Sequence, residues 1–127
     1  MTQFKLVSAT VCVALMAGAG VANAETMVRI RNDSVHPANI TVDKKSRDVR
    51  PRKAASFPIV DGVGVLKVAF ANGDVNKAEF SAVGETLPVE NAPDGNTYYC
   101  MTLDENDFEF LTQAECSKWV EKLTKAD

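Results

Sequence analysis

YYCMTLDENDFEFLTQAEC, Tyr98–Cys116, closes a run of carboxylates between two cysteines. Three chemistries compete for such a stretch: a metal loop, a redox pair or a covalent staple. A thioredoxin-type redox pair needs a C-x-x-C spacing, which is absent. A zinc site needs further soft ligands, and His36 is the sole histidine. An EF-type calcium loop begun at Asp104 places Asn106 third and Glu115 twelfth. Phe108 then stands where an oxygen ligand belongs, and Glu109 where glycine permits the turn.

Position by position, the stretch separates into ordinary parts. Cys100 belongs to an extended run, TYYCMTL, and Asp104–Asp107 to a polar turn. Phe108 and Phe110 follow a buried-side alternation. Thr112 and Glu115 form a capping box, in which each side chain satisfies a free N–H at a helix start. Cys116, Trp119, Val120 and Leu123 then recur at helical spacing, which predicts a helix at about 113–124 with one apolar stripe. In an exported chain the even pair Cys100 and Cys116 is expected to form a disulfide. Closing a loop of roughly 15 residues stabilises by about 3 kcal/mol in the chain-entropy account.

Upstream, the dominant period is two. TMVRIRN sets Val28 and Ile30 on one face against Arg29 and Arg31 on the other. ANITVD repeats the alternation, so the two runs read as a β-hairpin joined through DSVHP. KKSRDVRPRK is polar and holds Pro51, which suits a loop or an edge segment in solvent. AASFPIV, DGVGVLKVAF, KAEFSAV and TLPVE continue the series, with turns at Asp61-Gly62, Asn72-Gly73 and Gly84-Glu85. The expected fold is therefore mainly β, an antiparallel sandwich or small barrel of about seven strands, with one C-terminal α-helix in a single disulfide-stapled domain.

The N-terminus sets the expected compartment. MTQFK, the apolar run LVSATVCVALMAGAGV and the small-residue pattern ANA read as a signal peptide over residues 1–24, leaving a mature domain of residues 25–127. The short ANA form favours export to a bacterial periplasm. Cys12 follows the bulky Val11 and lies well ahead of the small-residue site, which argues against lipid attachment. Asn32-Asp33-Ser34 and Asn39-Ile40-Thr41 match the glycosylation pattern of a eukaryotic secretory route.

Charge is distributed unevenly. Residues 25–70 hold nine basic and five acidic groups, and residues 71–127 hold four basic and twelve acidic. The densest feature is Lys44, Lys45, Arg47, Arg50, Arg52 and Lys53. Such a run can be a solvated edge that blocks strand aggregation, a partner of the acidic half within the fold, or a docking surface for an acidic protein or an anionic lipid surface. Nucleic acid is not expected, since no aromatic residue is interleaved in the run. No G-x-S-x-G, H-E-x-x-H or phosphate-cradling glycine loop occurs, and no cofactor is implied. The expectation is a non-catalytic envelope protein that binds a protein partner through the basic run, in an inhibitor or subunit-type role. The alternative is a small-ligand or calcium binder using Asp104, Glu105, Asp107 and Glu109.

Overall fold

In the computed structural model, which describes residues 24–123, the period-two runs become two four-stranded sheets. The strands are β1 (Thr26–Asn32), β2 (Ala38–Val42), β3 (Lys45–Val49), β4 (Ala54–Pro58), β5 (Val63–Phe70), β6 (Val75–Ser81), β7 (Thr97–Leu103) and β8 (Phe108–Phe110). A 3-10 turn over Ala82–Gly84 follows β6, and the helix α1 spans Gln113–Val120. The first sheet has the order β4-β1-β7-β8 and the second the order β3-β2-β5-β6. Of the signal peptide expected over residues 1–24, residues 1–23 lie outside the described residues, and among those described no helix is long and apolar enough to cross a membrane.

The inward faces of both sheets build one core. Val28 and Ile30 of β1, Phe57 of β4, and Tyr99, Met101 and Leu103 of β7 meet Ile40 and Val42 of β2, Leu66, Val68 and Phe70 of β5, and Phe80 of β6. A second, smaller core lies on the other side of the first sheet. There Tyr98 and Cys100 of β7 are covered by Cys116 and Val120 of α1 together with Leu123. The layers are thus sheet, sheet and helix, and β7 is shared by both cores.

Four expectations are corrected. β1 and β2 do not form a hairpin, because they belong to different sheets and DSVHP carries the chain across the sandwich. Alternation states which face of a strand is buried, and both strands satisfy it by facing each other across the core. The pairing is antiparallel except in the centre, where β1 and β7 run parallel from Thr26↔Thr97 to Asn32↔Leu103. A strand buried on both faces reads as a continuous apolar run, as TYYCMTL does. TLPVE contributes one bridge, Val89 to Tyr98, since Pro88 has no N–H to extend the ladder. The helix stops at Val120, four residues before the expected end, and the N–H of Leu123 turns back to the Val120 carbonyl at 3.0 Å.

The turns are where local chemistry decides. Asp61 and Gly62 both have positive φ (57° and 75°), and the Val63 N–H donates to the Val60 carbonyl at 3.2 Å. This tight turn switches the chain from the first sheet to the second. A Cβ on Gly62 would lie 2.5 Å from a Val83 methyl, so the position is closed to side chains on two counts. At β6, the Phe80 ring fills the space opposite Gly64, and it meets Phe110 of β8 edge to face at 5.8 Å. The side of the sandwich formed by β6 and β8 is held together in this way.

The opposite side is held by Asn32, which takes the last inward position of β1 and is fully buried. Its amide nitrogen donates to the carbonyls of His36 (2.8 Å) and Val49 (2.9 Å), and its amide oxygen accepts from the Ser34 N–H (2.9 Å) and hydroxyl (2.7 Å). Its backbone bonds to Lys53 and Arg52. One side chain therefore ties the β1–β2 crossing to the β3–β4 crossing. Of the two glycosylation patterns, only Asn39 is exposed in the folded chain. We expect Asn32→Ala to cost about 2–4 kcal/mol in urea unfolding, because several buried groups lose their partners at once. The exposed Asn39→Ala should stay within about 0.5 kcal/mol of the wild type.

Candidate functional site

Lys44, Lys45, Arg47, Arg50, Arg52 and Lys53 are all exposed, and they follow one edge of the sandwich. The two-residue turn Asp43-Lys44, with Asp43 at φ 56°, leads into β3, which pairs with β2 on one side and is otherwise the free edge of the second sheet. In register, Lys45 lies opposite Val42 and Arg47 opposite Ile40. Directly paired residues share a face, so these two cations stand on the core side of the sheet at its margin. Charge pointing inward at an edge is a known guard against strand addition.

After Val49 the chain arches into the first sheet. The Lys53 N–H donates to the Arg50 carbonyl at 3.0 Å, and Arg52 takes a positive φ of 68°. Arg50, Arg52 and Lys53 thus continue the cationic edge over the crossing, fixed from below by Asn32.

Neutralisation within the fold does not account for this edge. Among the described residues the one ion pair joins Arg31 to Asp33 at 2.6 Å. The acids interspersed in the run are occupied by neutral donors: Asp48 accepts from the Asn39 amide at 2.9 Å and Asp43 from the Val65 N–H at 2.9 Å.

In that turn the candidate ligands Asp104, Glu105, Asp107 and Glu109 are close in sequence but are not gathered. Asp104 accepts from the N–H groups of Asn106 (2.8 Å) and Asp107 (2.9 Å). Asp107 accepts from Phe108 N–H at 2.8 Å, and Glu105 reaches across to Val35 N–H at 3.2 Å. Glu109, in the middle of β8, is exposed. Among the described residues no three His, Cys, Asp or Glu side chains converge as ligands for a metal ion. The carboxylates here build the turn, with the Asn76 amide bonded to the Glu105 carbonyl at 3.1 Å.

The two cysteines are bonded, with Cα atoms 5.3 Å apart. The bridge joins the helix to the outward face of β7, and the Leu111 N–H donates to the Cys100 carbonyl at 2.9 Å beside it. The capping box is present in both directions between Thr112 and Glu115. Trp119, half-buried on the flank of α1, lies 4.6 Å below the Arg31 guanidinium. That stacking is worth about 0.5–1 kcal/mol at an exposed position.

Sequence reasoning missed a polar corner next to this helix. Tyr98 is 2% exposed and its hydroxyl donates to Asp94, whose other oxygen accepts from the Asn96 N–H at 3.0 Å. Burial, then the bond to Asp94, raises the Tyr98 pKa above the ordinary 10.0. The residues at positions 91–96, NAPDGN, are turn formers, and nothing local marks their aspartate as the partner of a phenol. No protein-family model, curated protein or solved structure matches the chain.

Two outcomes follow from the staple and the phenol. Replacing both cysteines by alanine should lower stability by about 3 kcal/mol, with the lone tryptophan, Trp119, reporting loss of helix docking by fluorescence. Folding favours neutral Tyr98, so its contribution is full below its ordinary pKa of 10.0 and is lost as pH rises through the raised value. Ultraviolet titration should show a tyrosine ionising above that ordinary value, and Tyr98→Phe should remove it.

Proposed function

We propose that the protein is a non-catalytic binding or accessory protein of the cell envelope, docking an acidic protein partner through the edge formed by Lys44, Lys45, Arg47, Arg50, Arg52 and Lys53. One observation carries this reading. Six exposed cations lie along one edge with no carboxylate of the described residues within ion-pairing distance. Attraction of this kind steers association and fades as salt shortens the screening length to about 10 Å at 0.1 M.

The scaffold suits such a role. Its edge is supported by the buried Asn32 network, and the helix is tied down covalently, so the surface presented to a partner is rigid. The disulfide also supports an oxidising compartment, in keeping with the export signal of the sequence. Inhibition of another exported protein, or a subunit role, would use the same surface.

The experiment is affinity capture from envelope extract with wild-type protein and with all six cations changed to glutamine. Capture should fall about tenfold or more in the variant, equivalent to about 1.4 kcal/mol, and should fall with added salt in the wild type. Circular dichroism checks that the exposed substitutions leave the fold intact. Equal recovery by both proteins would sink the basic-edge reading.

A further inference from the structure

Next to the basic edge, on the helix side of the first sheet, is a cavity of about 300 Å³ that shares only Arg47 with the six cations of the docking reading. Its polar lining is Arg29, Arg47, Ser56, Asp94, Asn96 and Tyr98. Arg29 projects from the middle of β1, and its Nη1 donates to Ser56 Oγ of β4 at 2.7 Å. Arg47 comes from β3 in the other sheet, so the site exists only because the β3–β4 arch brings the two sheet edges together.

The charges in this cavity are not balanced. Asp94 is its one carboxylate, and that group is already held by Asn96 N–H, the Asn96 amide and the Tyr98 hydroxyl. Neither arginine has a carboxylate of the described residues within ion-pairing distance. Two arginines from different sheets thus line one space whose single carboxylate is already taken up by neutral donors. A guanidinium presents paired donors that match a carboxylate, and partial burial strengthens the bond. Met27 and Leu123 add apolar surface to the same lining, suited to the methylene stem of a side chain. The volume lies at the lower end of the range for small-ligand sites and is ample for one acidic side chain.

We propose that this cavity receives the carboxylate of a single glutamate or aspartate side chain of the partner, seated between Arg29 and Arg47. The inference rests on the docking reading, and Arg29, which is not among the six edge cations, separates the two.

The test is NMR of the purified protein with 15N-labelled arginine, titrated with N-acetyl-glutamate amide, with N-acetyl-glutamine amide and with inorganic phosphate. The Arg29 and Arg47 Nε–H signals should move saturably with the glutamate derivative and not with the glutamine one. Arg29→Gln and Arg47→Gln should each weaken the response about tenfold, and Arg29→Lys should recover only part of it. No movement of Arg29, an equal response to the glutamine derivative, or a stronger response to phosphate would overturn the assignment.

Capture from extract then distinguishes the two ideas. Loss of partner in Arg29→Gln supports the cavity. Wild-type capture by Arg29→Gln, with loss when Lys44, Lys45, Arg50, Arg52 and Lys53 are changed to glutamine, overturns the cavity and leaves the edge standing. Wild-type capture by both variants overturns the docking reading and with it the assignment to a partner's side chain.

Discussion

Burial of β7 on both faces is the constraint from which the rest of the structure follows. Tyr99, Met101 and Leu103 fill the sandwich, while Tyr98 and Cys100 must be covered from the other side. A β-sandwich alone leaves that second face in water, and burying a large apolar side chain is worth about 1.5–3 kcal/mol. The helix supplies the cover, the disulfide holds it to β7, and the parallel partner β1 places Arg29 and Arg31 beside it. The stacked Arg31 and Trp119, and the cavity beyond them, exist because β7 has two insides.

The two open sides of the sandwich are closed by different physics. At β6 and β8 the closure is aromatic, through Phe80, Phe108 and Phe110. At β3 and β4 it is polar, through one buried asparagine whose four hydrogen bonds replace those it gives up to water. The polar side is the one that carries the cations. A strand edge fixed by directional bonds can hold like charges in place without a hydrophobic patch that would recruit other edges.

Legibility of the site followed the range of the interactions involved. The cationic run, the turn-forming role of Asp104 and the capping box depend on neighbours within a few residues, and these were readable in the residues themselves. Arg29 was not, because VRIR alternation marks it only as outward-facing. Whether outward meant bulk water or the flank of a helix depended on a strand some seventy residues away. Asn32 was likewise read only as the end of an alternating strand and part of a glycosylation pattern: period two puts it on the face of Val28 and Ile30, but nothing local states which carbonyls of the two crossings would meet its amide.

By itself the sequence determined the β class, most of the strand positions, the turn at Asp61-Gly62, the helix start at Thr112 and the pairing of Cys100 with Cys116. Each of these follows from periodicity, backbone preference or elimination among few partners. Tertiary structure alone decided that β1 and β2 face each other across a core, that β1 and β7 run parallel, and that Arg29 and Arg47 line one cavity. Alternation specifies a face and never a neighbour, so sheet membership and the meeting of distant side chains are settled only when both cores are buried together.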